Sequence, residues 1–245
     1  MANDTMTIDQ LARYLRRDAR EVSKLVNRGQ VPGRKVGGEW RFSRAEINHW
    51  LTTQLANLSE GELQALEQPE PTRPSAAPSL DEAVLLDRLL HPDCVAVPLA
   101  ARTRASVLRE LVALAEQSWL VYNPEQILAA VIAREDQMTT AQPGGVAVPH
   151  ISRPIPGTLG DSLIAFGRTA SGIPFGAADR GLTDLFFLVL CDDSRLHLQV
   201  LARLARLFLR PGFLNTLRQA ETAADARAVI VQAERDLLTQ PKASK

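Results

Sequence analysis

The sequence has few of the residues that build metal sites or disulfide frameworks. Its 245 residues include 2 cysteines and 4 histidines. Cys94 and Cys191 lie far apart, and neither belongs to a Cys-x-x-Cys pair. Zinc sites need several such ligands at short spacing, so neither a metal nor another cofactor is expected. Both cysteines are expected to be reduced, largely buried thiols of a cytosolic protein.

A long apolar run is also missing. The strongest stretch, Leu185 to Cys191, is much shorter than the roughly 18 residues of a membrane span. The first residues, Met1 to Asp4, lack the basic and then apolar pattern of a signal peptide. We therefore expect a cytoplasmic protein without membrane insertion.

A proline-rich stretch divides the chain. Four prolines and no large apolar residue occur between Gln68 and Ser79. Because proline fixes φ and removes a backbone donor, this stretch predicts an extended, semi-rigid spacer. We predict a small domain at 1–58, a linker at 59–79 and a larger domain at 80–238, and the two domains need not share a core.

The pattern of the first domain predicts two helices, a hairpin and a third helix. Thr7 and Asp18 are expected to cap the first two helices, because apolar residues follow each at helical spacing. A Gly-Gly pair then supplies the positive φ that a tight hairpin turn needs. Ser43 is expected to cap the third helix, in a capping box completed by Glu46.

This order of elements resembles the excisionase and MerR-like winged helix-turn-helix family. Although the net charge of the whole chain is +0, residues 1–58 hold ten basic and six acidic side chains, a balance of +4. Such a basic patch suits contacts with DNA phosphates. The alternatives are a solvated face or a protein-binding module. The DNA-binding candidates on the second helix and the hairpin are Arg20, Ser23, Lys24, Asn27, Arg34, Lys35 and Arg41.

The second domain alternates helices and strands, which predicts a layered α/β fold. The predicted helices cover 80–90, 104–118, 124–135 and 196–209. The predicted strands cover 94–98, 145–149, 163–166 and 185–190. The strand order does not follow from this pattern.

Two histidines of this domain are candidates for chemistry. His150 follows an apolar strand that ends at Pro149, so we expect a rigid support at the domain surface. Unprotonated imidazole is a competent phosphoryl acceptor near neutral pH. His197 lies in the first turn of a predicted helix, where amides and the positive helix end favour an anion. Spacing alone does not bring the two together, and a structural role for either stays open.

The segment from Arg134 to His150 resembles, without a gap, a known active-site motif. The motif belongs to the fructose, mannitol and nitrogen-regulatory class of IIA components of the bacterial phosphoenolpyruvate-dependent phosphotransferase system. The family pattern is Arg-Glu, a Ser-Thr or threonine-rich turn, and then Gly-Val-Ala-Ile-Pro-His. This chain has Gly-Val-Ala-Val-Pro-His at 145–150. Three further landmarks follow in order, at 172–175, 184–190 and from His197 onwards. The resemblance covers 80–238 and implies a mixed-sheet IIA-type domain.

This resemblance implies a phosphohistidine carrier. His150 matches the phosphorylated histidine, His197 the second active-site histidine, and Arg134 the arginine that contacts the phosphate. The implied donor is the histidine-containing phosphocarrier protein, and the implied acceptor is a sugar permease or a regulatory protein. One departure bears on donor recognition, because Thr140-Ala141-Gln142-Pro143 stands where the family usually has Thr-Gly-Ile-Gly.

Three functions are consistent with these features. The first is a regulatory carrier whose phosphorylation state is coupled to DNA binding through the helix-turn-helix domain. The second is a transport component that passes phosphate to a separate sugar permease. The third is a transcription factor whose second domain senses an anion without catalysis. A labile phosphate on His150 separates the first two from the third, and the fate of that phosphate separates the first from the second.

Overall fold

The computed structural model of the chain describes residues 5–55, 58–67 and 84–239. Its amino-terminal segment, residues 5–55 and 58–67, forms a small three-stranded antiparallel sheet, in the order β1-β3-β2, surrounded by helices. The elements are β1 (Thr5–Met6), α1 (Ile8–Leu15), α2 (Ala19–Asn27), β2 (Arg34–Val36), β3 (Glu39–Ser43), α3 (Arg44–Gln54) and α4 (Glu60–Glu67).

The second part is built on a mixed five-stranded sheet in the order β4-β7-β8-β6-β5. Its elements are α5 (Leu85–Leu89), β4 (Leu90–Ala96), α6 (Arg104–Glu116), α7 (Pro124–Gln137), β5 (Ala141–Gln142), β6 (Val146–Ala147), β7 (Leu163–Pro174), β8 (Leu182–Leu190), α8 (Ser194–Leu209), α9 (Phe213–Gln219) and α10 (Ala223–Thr239). The pairs β4–β7 and β6–β8 are parallel, whereas β7–β8 and β5–β6 are antiparallel. Among the helices in the described ranges, none is long and apolar enough to cross a membrane.

Strand β8 shows why the domain has layers on both faces of the sheet. Successive side chains of a strand point to opposite faces. Leu185, Phe187 and Val189 pack in the core on the α8 side, while Phe186 and Leu188 pack in the core beneath α6 and α7. All five are buried, so this central strand is covered on both sides. The expected α/β class with a mixed, layered sheet is confirmed.

Two of the three helix caps that we expected in the amino-terminal segment are present. The Thr7 hydroxyl accepts a hydrogen bond from the amide of Gln10 at 3.3 Å, and the carboxylate of Asp18 caps α2. The expected capping box at Ser43 is wrong, because its side chain makes no capping hydrogen bond. Glu46 instead accepts a hydrogen bond from Arg34 at 2.8 Å, so hairpin and α3 are joined by an ion pair.

Helix α4 corrects the prediction for the linker. It lies within 59–79, which we expected to be a linker, whereas the stretch from Gln68 to Ser79 that we expected to be extended falls outside the described residues. Leu63 and Leu66 are buried at the i, i+3 spacing of one helix face. They belong to the same hydrophobic cluster as residues of α8, such as Leu198. We expected that the two domains need not share a core, and in the structure α4 packs the amino-terminal segment onto α8 within one hydrophobic cluster.

Several strands differ in length from the expectation. β7 continues to Pro174 because it forms a long antiparallel pair with β8, interrupted by a register shift between Arg168 and Ile173. The expected strand at 145–149 shortens to β6, and β5 forms where a loop was expected. α8 begins two residues earlier than predicted, because Asp193 caps it.

Candidate active site

His150 is held by the sheet through backbone pairing beyond the end of β6. It forms an isolated parallel bridge with Val189 of β8, whose amide donates to the carbonyl of Pro149 at 2.9 Å. The side chain is 3% exposed, so the expectation of a surface histidine is wrong. The rigid support is there, but surrounding side chains cover the ring.

A backbone hydrogen bond determines the tautomer of His150. Its Nδ1 lies 2.8 Å from the carbonyl oxygen of Val148. Because a carbonyl only accepts, Nδ1 must carry the proton, and Nε2 of the neutral ring then carries the lone pair. That lone pair accepts a hydrogen bond from Nε of Arg134 at 3.1 Å. Of the two ring nitrogens, Nε2 is therefore the one whose lone pair is able to act as a nucleophile.

Arg134 reaches the site from the last turns of α7 and is 2% exposed. Its Nη1 donates to the carbonyl of Met138 at 2.8 Å, which fixes the guanidinium from the second side. Burial lowers the pKa of Arg134 and the neighbouring Glu135 raises it. An arginine stays protonated under all ordinary conditions, so the site holds one fixed positive charge beside Nε2.

Glu135 secures the loop that follows α7. Its carboxylate accepts hydrogen bonds from the amide and the hydroxyl of Thr140, at 2.8 and 2.7 Å. Burial raises the pKa of Glu135, and the hydrogen bonds from Thr140 oppose that increase. Thr139 donates in turn to the carbonyl of Phe175 at 3.0 Å. The threonines of the motif thus anchor this loop.

His197 lies in the first turn of α8, with its ring centroid 5.1 Å from that of His150. Burial and the positive charge of Arg134 lower the pKa of His197 to about 4, so the ring is neutral at neutral pH. The fold therefore brings together the three residues expected to form the active site, His150, Arg134 and His197.

The expected role of the helix end needs correction. The carboxylate of Asp193 already accepts hydrogen bonds from the amides of Arg195 and Leu196, at 2.9 and 2.7 Å. These amides are thus engaged by a capping side chain and do not point a free donor at an anion. The guanidinium of Arg134 places a positive charge beside His150, and His197 lies alongside as a neutral ring.

Sequence reasoning missed a clamp on the turn that leads to His150. Arg218 of α9 binds the carboxylate of Asp184 through Nε and Nη2, both at 2.7 Å, and Nη2 also donates to the carbonyl of Gly144. Gly145 has φ +78°, and a Cβ there would lie 2.7 Å from Nη2 of Arg218. Asp184 begins one of the family landmarks, which is the only signal of this clamp in the sequence.

The seven DNA-binding candidates lie on α2 and on the hairpin. Arg20, Lys24 and Asn27 are exposed on α2. Ser23 is half-buried, and its hydroxyl donates to the carbonyl of Ala19 at 2.7 Å.

The hairpin candidates are partly engaged within the domain. Arg34 is exposed and paired with Glu46, as described above. Arg41 pairs with Glu39 at 2.7 Å, and Nζ of Lys35 lies 5.4 Å from the ring centroid of Trp40.

Comparison with known proteins gives two family matches. Residues 88–233 match the family described as "Phosphoenolpyruvate-dependent sugar phosphotransferase system, EIIA 2". Residues 5–55 match a helix-turn-helix domain. The two matches divide the chain on either side of α4 and the proline-rich stretch.

Curated relatives include transport and regulatory proteins. The nitrogen regulatory protein of Bradyrhizobium diazoefficiens is 31% identical over 58% of this chain and 89% of its own length. The fructose-specific EIIA component of Haloferax volcanii is 27% identical over 53% of this chain and 84% of its own length. The match to the fructose-specific EIIABC component of Bacillus subtilis, at 24% identity over 56% of this chain, spans 21% of that protein.

Solved structures share the fold of the second part. The nitrogen regulatory protein IIA-Ntr from Neisseria meningitidis superposes with a TM-score of 0.55 at 24% identity. The superposition covers 60% of this chain and 99% of the Neisseria chain. IIA mannitol from Escherichia coli gives a TM-score of 0.50 at 17% identity, over 58% of this chain and 98% of its own.

Proposed function

Because the chain belongs to the EIIA 2 family of the phosphoenolpyruvate-dependent sugar phosphotransferase system, whose members act as phosphoryl carriers, we propose that it carries a phosphoryl group on Nε2 of His150. One observation carries the proposal. The lone pair of neutral His150 faces Arg134 at 3.1 Å, and His197 lies alongside. This arrangement gives a nucleophile, a fixed positive charge and a neutral neighbouring ring in one buried site.

The transfer balances without loss of a proton from His150. Nε2 attacks the phosphorus of a phosphohistidine on the donor, the histidine-containing phosphocarrier protein. The new N–P bond forms as the donor's N–P bond breaks, and that electron pair returns to the donor's ring nitrogen. The ring of His150 keeps the proton on Nδ1, and the carbonyl of Val148 stabilises the positive charge that develops there.

Arg134 and His197 stabilise the transferred group. Phosphoryl transfer asks mainly for positioning and for compensation of charge on the phosphoryl oxygens. The guanidinium of Arg134 supplies charge-assisted hydrogen bonds to those oxygens. His197, neutral because its pKa is lowered, offers an N–H donor without requiring a second buried charge.

The role of the protein depends on which molecule accepts the phosphoryl group from it. We favour a regulatory role. A helix-turn-helix domain precedes the carrier domain in the same chain, and nitrogen regulatory proteins are among the relatives. On this proposal residues 1–58 bind DNA through the exposed side chains of α2 and the hairpin, and the phosphorylation state is coupled to that binding. The fructose-specific relatives favour a second candidate, in which phosphate passes to a sugar permease.

Phosphorylation with labelled phosphoenolpyruvate and the general phosphotransferase proteins tests the proposal. The wild type should acquire acid-labile, alkali-stable label, and His150→Ala should acquire none. His91→Ala is the matched control, because His91 is about half exposed and pairs only with Asp93 among the contacts described. Label retained by His150→Ala at the wild-type level would place the acceptor elsewhere.

A further inference from the structure

Helix α8 has two functional faces. His197 points to His150 on one face. On another, Arg195, Gln199, Arg203 and Arg206 follow one another at intervals of four, four and three residues, so they form a single stripe along the helix. We name these four residues the α8 stripe.

The last three residues of the α8 stripe bind α4. Gln199 donates to the backbone carbonyl of Glu67 at 3.1 Å. The carboxylate of Glu67 lies 3.0 Å from Nε of Arg203 and 2.7 Å from Nη1 of Arg206. Arg203 also pairs with Glu234 of α10, and all the charged side chains of this network are almost fully buried. Glu67 thus anchors the amino-terminal segment.

The first residue of the stripe binds α1. The guanidinium of Arg195 lies 5.7 Å from the ring centroid of Tyr14, and that of Arg44 lies 4.9 Å from the same ring. Tyr14 is 2% exposed, and its hydroxyl donates to Asn48 of α3. Because Arg195 and His197 share the first turn of α8, this contact lies one helix diameter behind the phosphoryl site.

The segment that covers this surface lies outside the part of the chain that matches the EIIA 2 family. The Neisseria IIA protein aligns over 99% of its length with 60% of this chain. The docking segment, within residues 5–67, lies outside residues 88–233, which match the EIIA 2 family. Here the back of the His197 helix is an interaction surface whose partner is the chain's own helix-turn-helix domain.

The phosphoryl site is closed in this arrangement. Nε2 of His150 and Nε of Arg134 are 3.1 Å apart, a hydrogen-bond distance that leaves no room for a tetrahedral phosphoryl group. His150, Arg134 and His197 are all buried, and Arg134 is also held by the carbonyl of Met138. To accept the group, the site must open, either at the Arg134 side chain or at the first turn of α8.

We propose that docking of the helix-turn-helix domain on the α8 stripe and phosphorylation of His150 oppose each other through the first turn of α8. The inference rests on the proposed phosphorylation of His150. The first turn of α8 contacts His150 on one side and Tyr14 on the other. When the phosphoryl group displaces this turn from His150, the turn shifts relative to Tyr14, and the Tyr14–Arg195 contact is weakened. Coupling between two equilibria is reciprocal, so weakening that contact favours phosphorylation. The α8 stripe thereby links the state of His150 to the position of the DNA-binding domain.

The test is a gain of phosphorylation in the full chain. Arg195→Ala should raise the equilibrium ratio of phosphorylated to unmodified protein, at fixed phosphorylated donor, by roughly two- to fivefold, the range of a cation–π contact. Tyr14→Leu, which removes the ring from the other side, should raise it similarly, and the double variant should rise no further than the singles. Arg109→Ala, on an exposed arginine of α6, is the control and should match the wild type.

A second measurement keeps the outcome clear if a variant folds poorly. Hydrogen exchange of the α1 amides in the wild-type protein should quicken on phosphorylation and stay unchanged in His150→Ala treated in the same way. Ratios in Arg195→Ala and Tyr14→Leu at or below wild type, with unchanged α1 exchange in the phosphorylated wild type, would overturn the inference. Failure of the wild type to be phosphorylated at all would instead overturn the proposed function.

Discussion

The backbone two residues before His150 decides which of its ring nitrogens carries the lone pair. The carbonyl of Val148 holds the proton on Nδ1, so the lone pair of Nε2 faces Arg134. The family resemblance in the sequence identified His150, Arg134 and His197. It did not indicate their burial or the tautomer, because both depend on a carbonyl and a guanidinium that meet only in the folded chain.

At the same scale, the lowered pKa of His197 predicts a pH dependence of stability. The pKa of His197 is about 4 in the folded chain and 6.5 in the unfolded chain. Between these pH values the unfolded chain therefore binds a proton at His197 that the folded chain does not bind. The stability that neutral His197 contributes is therefore present above pH 6.5 and lost as pH falls towards 4, by up to roughly 3 kcal/mol. Denaturant unfolding of wild type and His197→Gln, between pH 7 and 4.5, measures this difference.

The variant should lose less stability on acidification than the wild type. His91→Ala is the control, because it removes an exposed histidine and should keep the wild-type pH dependence. Parallel pH curves for His197→Gln and the wild type would show that His197 titrates normally in the folded protein.

At the scale of elements, the sequence predicted two of the three local helix caps correctly, and the third failed because Glu46 pairs with Arg34 of the hairpin. Thr7 and Asp18 cap their helices as expected, since each cap involves only residues within one turn. The pattern failed for β5 and for the length of β7, because both are fixed by pairing with distant strands. It also failed at α4, whose buried Leu63 and Leu66 were too few to outweigh the adjoining proline-rich composition.

The turn between β5 and β6 provides the test at this scale. Gly145→Ala should lower the free energy of unfolding by roughly 1–3 kcal/mol, because φ is positive and the new Cβ meets Arg218. Gly37→Ala is the matched control, since Gly37 also has a positive φ but nothing within 4 Å of the added Cβ. We expect Gly145→Ala to lower the free energy of unfolding more than Gly37→Ala does, and to slow phosphorylation of His150. Equal costs at the two glycines would mean that the clamp does not constrain the turn.

At the scale of the whole molecule, one buried carboxylate joins the two parts of the chain. No pattern in the sequence paired α4 with α8, because the stripe residues and Glu67 are more than 120 positions apart and resemble ordinary polar surface residues. In the structure Glu67 and Arg203 have side chains 6% and 5% exposed. Burial raises the pKa of Glu67, while Arg203 and Arg206 lower it.

Removal of this carboxylate should destabilise the whole protein. Glu67→Ala leaves Arg203 and Arg206 buried without it, and breaking a buried pair in this way costs about 3–5 kcal/mol. Glu60→Ala is the control, since Glu60 is 67% exposed and 3.7 Å from Arg206, and it should leave stability nearly unchanged. Denaturant unfolding measures both. A loss below 1 kcal/mol in Glu67→Ala would contradict a tightly docked amino-terminal segment.

The most direct test of the central claim is the chemical identity of the phosphorylated atom. The protein would be labelled with ¹⁵N at its histidines, phosphorylated with phosphoenolpyruvate and the general phosphotransferase proteins, and examined by NMR for ³¹P–¹⁵N coupling. We expect one phosphohistidine, assigned to His150, with phosphorus coupled to Nε2 and a proton retained on Nδ1. Coupling to Nδ1 of His150, or to a nitrogen of His197, would contradict the mechanism.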